Sequence, residues 1–403
     1  MAARLRPIAF AFTLALALPF APGARAEDAE APPEAPPEAP PEEGAKPTKV
    51  ETDDTSIFKD WGMVKRKGVA HAKTRAEFWA GKGVTGKDLN WLGRMYERGA
   101  VYDKAIEAFQ GYIDWQPPAG DTKAAEGKEK NLPGAMETKI LAHLKSRDWE
   151  GAVKASDAFL TKLEGSNITG KVLRYRGRAH RMAGDDAKAI ESFQKSVDTK
   201  DEKGLLDLVD VHLCNGDAAA AKEAIAKFGI EESKAKAVLG LLAAFVDAVG
   251  TPAPSLEKGV SVGAVEAAKE YSKPTVLSLW GMQTAYFDRK LKRLGEFGRA
   301  YDKIHVAGVS KYMKYNPQTM KVESEMTPEQ EQEWYRKLAL DSPDRLPPLL
   351  VLPDEFFEAM KLKFEGQMVL VDGEGKLRYI RMSNVEDYDY DALGLAVKKL
   401  TGG

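Results

Sequence analysis

Cysteine and histidine are scarce in this chain: among 403 residues there is one cysteine, Cys214, and there are five histidines. A lone cysteine cannot close an internal disulfide, and it is expected to pack as a small buried apolar residue. No histidine stands where it could activate a nucleophile. His-x-x-x-His and Glu-x-x-His pairs are missing too, so no metal and no cofactor are expected. Basic residues are not in excess: 59 Lys and Arg face 61 Asp and Glu, for a formal charge of −2. That balance excludes the dense cationic face that phosphate neutralisation demands, so no nucleic-acid partner is expected. The longest charge-free apolar run, Ile8 to Ala21, is too short to cross about 30 Å of hydrocarbon. The mature chain is therefore expected to carry no transmembrane segment.

That run has a different use. Arg4 and Arg6 precede it, and the small-residue stretch Ala24-Arg25-Ala26 follows it. The pattern predicts a signal peptide over 1–26, cleaved after Ala26, and a periplasmic or secreted protein. Cleavage removes three arginines and takes the formal charge from −2 to −5. From 27 to 52 the chain is rich in Pro, Glu and Ala, with Pro-Pro-Glu-Ala repeated from Pro32. This composition has no apolar face to bury, and it predicts a disordered, extended spacer.

Apolar spacing from Ile57 to Trp79 predicts a leading helical segment. The glycine-rich stretch Gly81 to Asp88 is no phosphate loop, because Asp88 stands where a hydroxyl must meet magnesium. Next comes a repeat. Leu89, Leu92, Gly93, Tyr96, Ala105, Phe109 and Pro117 share a frame with Leu173, Gly177, Ala189 and Phe193. Leu205, Leu208, Ala221 and Phe228 fit it as well, and Met136, Ala152 and Phe159 fit it more loosely. This frame resembles the tetratricopeptide repeat, in which small residues let two helices of a hairpin approach closely and large ones fill the space between hairpins. Gly99, Gly184-Asp185 and Gly216-Asp217 are expected at the turns, and Gly120 to Leu132 reads as a solvated loop. His143, His180 and His212 share the repeat position of Tyr96, which makes them packing rings rather than metal ligands. The repeat domain is expected over 57–250, closed by a helix from Glu232 to Val249. Gly250 to Pro254 then reads as a linker. Its candidate partner-binding residues are Asn90, Arg94, Arg174 and Arg178, read as exposed on the first helices of their hairpins. Arg174 and Arg178 lie four apart and could engage a carboxylate.

From Pro274 short apolar runs alternate with amphipathic segments, which predicts an α/β domain over 259–403. Strands are expected at Thr275–Trp280, Ile304–Val309, Leu349–Leu352, Gln367–Val371 and Leu377–Met382. Helices are expected at Ala285–Tyr301, Pro328–Leu340, Asp354–Leu362 and Tyr390–Leu400. The run Thr275 to Trp280 with its following helix, and Met368 to Leu377 with its Asp372-Gly373-Glu374-Gly375 turn, resemble thioredoxin-like proteins of the TlpA and redoxin type. That resemblance implies a Cys-x-x-Cys motif a few residues after Trp280, yet those positions hold Thr284, Ala285, Tyr286 and Phe287. It also implies a proline before the hairpin strand, where Gly366 and Gln367 stand. The redox chemistry that the resemblance implies is therefore missing, and no catalytic residue is expected. Asp387, Asp389 and Asp391 do not extend to a calcium loop: Ala392 replaces the turn glycine and Lys398 the bidentate glutamate.

The expected fold is thus an α-helical, tetratricopeptide-like solenoid followed by a thioredoxin-like α/β/α domain. The expected function is a non-catalytic binding or scaffold protein for an unknown protein or peptide partner. The competing expectation is a thiol-disulfide oxidoreductase-related enzyme acting through Cys214 or an unseen site.

Overall fold

The computed structural model describes residues 56–402 apart from 65–66, 230–232, 234, 263–265, 280–286, 311–314, 317–320, 323–328, 331–332, 334–335, 337–345, 363–365 and 383–385. The chain is mostly helical, with one mixed sheet near its C-terminal end. Two leading helices, α1 (Ile57–Val64) and α2 (Gly68–Gly81), are tied by Asp60, which is buried. Its carboxylate accepts from Arg75 Nε and Trp79 Nε1, each at 2.6 Å. Four hairpins follow: α3 (Leu89–Arg98) with α4 (Tyr102–Asp114), α5 (Thr122–Lys145) with α6 (Trp149–Lys162), α7 (Thr169–Met182) with α8 (Asp186–Asp198), and α9 (Glu202–Cys214) with α10 (Ala218–Phe228). A last helix, α11 (Lys236–Ala248), lies within the expected closing segment.

The hairpins are repeat-like, because one turn is built four times. The backbone N–H of Val101, Asp148, Asp185 and Asp217 donates at 2.9 Å to the carbonyl of Tyr96, His143, His180 and His212. In the last three the aspartate then caps the next helix, accepting from Gly151, Lys188 and Ala220. The residue before it takes positive φ: Ala100 at 56°, Arg147 at 62°, Gly184 at 86° and Gly216 at 76°. Gly99 lies in the first turn, as expected, just before the left-handed Ala100, and it also serves packing. A Cβ there would meet the backbone of Lys73 at 2.9 Å. Close approach within hairpins does rest on Gly93 and Gly177, whose Cβ would meet the rings of Phe109 at 3.0 Å and Phe193 at 2.5 Å.

Two expected loops are structured. Gly120 to Leu132 is largely the start of α5, capped by Asp121, which accepts from Ala124. Its Lys, Glu and Ala residues favour a helix whose first turns face water, so a composition read as loop was a solvated helix. Gly250 to Pro254 is no free linker. Gly250 N–H donates to Leu377 at 2.8 Å, Leu377 N–H to Thr251 at 3.0 Å, and Ala253 N–H to Gly375 at 2.7 Å.

The sheet has the order β1-β6-β3-β2-β7-β8, built from β1 (Val260–Ser261), β2 (Thr275–Leu279), β3 (His305–Ser310), β6 (Leu349–Val351), β7 (Met368–Val371) and β8 (Leu377–Arg381). Strand β2 pairs in parallel with β3, with Thr275 opposite His305, and β3 in parallel with β6. On its other side β2 pairs antiparallel with β7, and β7 with β8. β2 and β7 are buried throughout, as their unbroken apolar runs require. Helices α12 (Phe287–Ala300), α13 (Asp354–Ala359) and α14 (Asp387–Thr401) accompany it. The expected order of strands and helices is present, although the helix expected at Pro328–Leu340 lies mostly outside the described residues. The short edge strand β1 and a two-residue pair, β4 (Tyr315–Asn316) with β5 (Lys321–Val322), were not foreseen. A single apolar core runs from Phe193, Leu208 and Val211 of the last hairpins into Leu277, Val369 and Leu393 of the sheet and α14.

Candidate functional site

The end of β2 is where the thioredoxin resemblance places chemistry. Leu279 N–H donates to the Gln367 carbonyl and Gly366 N–H to the Leu279 carbonyl, each at 2.8 Å. Gly366, at φ 91°, and fully buried Gln367 thus stand beside the last residue of β2. The Gln367 amide lies 3.5 Å from Met382 Sδ. Of the positions expected opposite them, Thr284, Ala285 and Tyr286 lie outside the described residues. Phe287 opens α12, with its side chain outside them. The one thiol is far along the chain, at the end of α9. Cys214 is buried, and burial pushes its thiol up.

The four candidate partner-binding residues are less exposed than expected. Asn90, Arg174 and Arg178 are 2 %, 5 % and 9 % exposed, and Arg94 is half-buried. Arg174 and Arg178 do engage carboxylates, but the chain's own. Arg174 Nε lies 3.3 Å from Asp201, too poorly aligned for a hydrogen bond. Arg178 donates from Nε to Asp207 at 2.7 Å and from Nη1 to Glu386 at 2.6 Å. The exposure expected for them is corrected for a physical reason: a second part of the chain packs over the first helices of the third and fourth hairpins. The ring of Tyr388 lies 4.3 Å from the Arg178 guanidinium and 5.0 Å from that of Arg381.

Beneath this contact lies a buried charge cluster. Arg381 of β8 donates from Nη1 to Asp207 at 3.1 Å and from Nη2 to Asp389 at 2.7 Å, and lies 3.0 Å from Asp210. Arg181 of α7 donates to the same Asp210 and, at 3.3 Å, to the Tyr388 hydroxyl. Three arginines, Arg178, Arg181 and Arg381, thereby face Asp207, Asp210 and Asp389, all buried. Burial would raise the Asp207 carboxyl, but Arg178, Arg381 and Arg174 outweigh it and hold the group down at about 2. Burial likewise opposes the charge on Arg381, and Asp210, Asp389 and Asp207 outweigh it, so this guanidinium stays protonated. Asp389 also closes a capping box with Glu386, which starts α14 three residues before the expected Tyr390. The acidic trio therefore points to three cations: Asp387 to Arg293, Asp389 to Arg381 and Asp391 to Arg147.

Sequence reasoning missed this cluster, though it left a signal. From Gly204 onward helix α9 reads GLLDLVDVHLC, apolar on nearly every side, with Asp207 and Asp210 three residues apart within it. Carboxylates on a helix buried all round require buried cations.

No family model matches the chain, and no curated protein matches it. Among solved structures, a thiol:disulfide interchange protein from Bacteroides sp. is similar at 18 % identity and a TM-score of 0.27, over 39 % of this chain and 91 % of that one. The thioredoxin domain of a thiol-disulfide oxidoreductase from Bacteroides vulgatus is similar at 15 % identity and a TM-score of 0.25, over 36 % of this chain and 96 % of that one. Among the described residues no helix is long and apolar enough to cross a membrane.

Proposed function

We propose that this is a non-catalytic, exported binding or scaffold protein that recognises a protein or peptide partner. In this reading 1–26 is a signal peptide and 27–52 a spacer. Tetratricopeptide-like repeats over 57–250 and a redox-inactive thioredoxin-like domain over 259–403 act together as one recognition unit. The observation that carries it is the state of the only thiol. Cys214 is buried among the repeat helices and its pKa is raised, whereas a nucleophilic cysteine needs exposure and a lowered pKa. The same observation weighs against an enzyme working through Cys214. Localisation in the periplasm or outside the cell follows from the proposed signal peptide.

The test has two arms. Purified mature protein should not catalyse insulin disulfide reduction, and in-cell cross-linking of a tagged chain should join it to a specific extracytoplasmic protein. Insulin reduction that disappears in Cys214→Ser contradicts the proposal, as does a chain that cross-links to nothing.

A further inference from the structure

The repeated turn gives a structural register for comparing the hairpins. Tyr96 and His180 occupy one position in it, because their carbonyls accept the same turn hydrogen bond. Arg94 and Arg178, two residues earlier, are therefore equivalents, and so are Asn90 and Arg174, one helical turn before them. At Arg178 the molecule carries its own ligand. The carboxylate of Glu386 accepts from the guanidinium at 2.6 Å, and the ring of Tyr388 lies against it at 4.3 Å. The inner helix of the third hairpin thus receives an acidic residue and an aromatic one, spaced Glu-x-Tyr.

The equivalent place on the first hairpin has the receptor without that ligand. Arg94 has no hydrogen bond or ion pair among the described residues, and its buried Nε has no partner. Glu97 and Glu137, the carboxylates whose fields reach it, are paired with Lys145 and Lys171. Burial lowers the pKa of Arg94, the mark of a cation short of counter-charge. One turn away Asn90, 2 % exposed, has an Oδ1 that is also unpartnered. Aromatic surface is at hand. The Trp91 ring lies 5.8 Å from the Arg94 guanidinium, and Phe58, 59 % exposed, packs edge-on against Trp91 at 5.0 Å.

We propose that Arg94, Asn90, Trp91 and Phe58 form a docking site for an acidic, aromatic peptide segment of a partner protein, of the chemistry that Glu386 and Tyr388 present to Arg178. The inference rests on the proposed binding function and specifies the partner's chemistry. The partner's carboxylate meets the Arg94 guanidinium, a charge-assisted contact in a half-dry setting. Its aromatic ring lies on Trp91 and Phe58.

A fluorescein-labelled peptide copying Ser383 to Asp391 is the probe, titrated into the full mature protein and followed by anisotropy. Saturable binding is expected, weakened about tenfold or more by Arg94→Ala and less by Arg94→Lys, which keeps the charge but not the fork. Phe58→Ala, at an exposed position that leaves the fold alone, should also weaken it. A peptide carrying both Glu386→Gln and Tyr388→Ala should not bind. Absence of saturable binding overturns the proposal, as does binding that is unchanged in both Arg94→Lys and Phe58→Ala, which would place the peptide elsewhere. Cross-linking to a partner that persists while this peptide fails to bind removes the docking site and leaves the wider binding function standing.

Discussion

The first and third hairpins are the same structure put to different ends. Each closes with the same turn bond, from Val101 to Tyr96 and from Asp185 to His180. Each packs a glycine under a phenylalanine ring, and each carries an arginine two residues before its turn acceptor. In the third hairpin that arginine is covered by the chain's own Glu386 and Tyr388 and anchored below by Asp207. In the first, Arg94 stands half-buried without a counter-ion among the described residues. Position in a repeat sets where a side chain points, while the rest of the chain decides whether it is covered.

The largest expected effect comes from removing what holds the third hairpin to the sheet. Arg381→Met leaves Asp207, Asp210 and Asp389 buried with too little positive charge, and should cost about 3–5 kcal/mol in urea unfolding. Arg94→Met in the first hairpin should cost far less, since no described carboxylate depends on it. Acid should attack the same cluster. Asp207 titrates at about 2 in the folded protein, below its ordinary value of 3.8, and Asp389 is also lowered, by Arg381 and Arg178 against the cost of burial. A depressed folded pKa contributes stability above the unfolded value that is lost as pH falls through the folded one. Stability should therefore drop between about pH 4 and pH 2. Arg381→Met should show a shallower acid dependence over that window. A smaller effect separates the two glycines. Gly177→Ala drives a methyl to 2.5 Å from the Phe193 ring and should lower stability by about 1–3 kcal/mol. At Gly93 the approach is 3.0 Å, so a slight shift of Phe109 suffices. The helical gain of about 0.5–1 kcal/mol on replacing glycine by alanine should then leave Gly93→Ala near neutral in thermal unfolding.

The elements themselves were legible because their signals are local. The repeat frame placed Gly93, Gly177 and the turn histidines, and unbroken apolar runs placed β2, β3 and β7. Asp121, one residue before α5, carries no clear cap signal in the sequence, because a lysine- and glutamate-rich solvated helix and a solvated loop share a composition. The site was less legible. Arg178 looked like any arginine on an amphipathic helix, and its fate depended on Asp207, Glu386 and Arg381, the last 203 residues further along. A single sequence carries no pairing information over such a separation, apart from the hint that two aspartates inside an apolar helix need buried cations.

The third and fourth hairpins and the sheet form one folded unit locked by buried charge. Hydrogen exchange of the mature protein in increasing urea tests it most directly, with α3, α7, α9, β7 and β8 followed in parallel. Helices α7 and α9 and strands β7 and β8 are expected to lose protection together, at one midpoint that falls for all four in Arg381→Met. Protection lost first and independently from β7 and β8, with α7 and α9 unchanged in Arg381→Met, would contradict it.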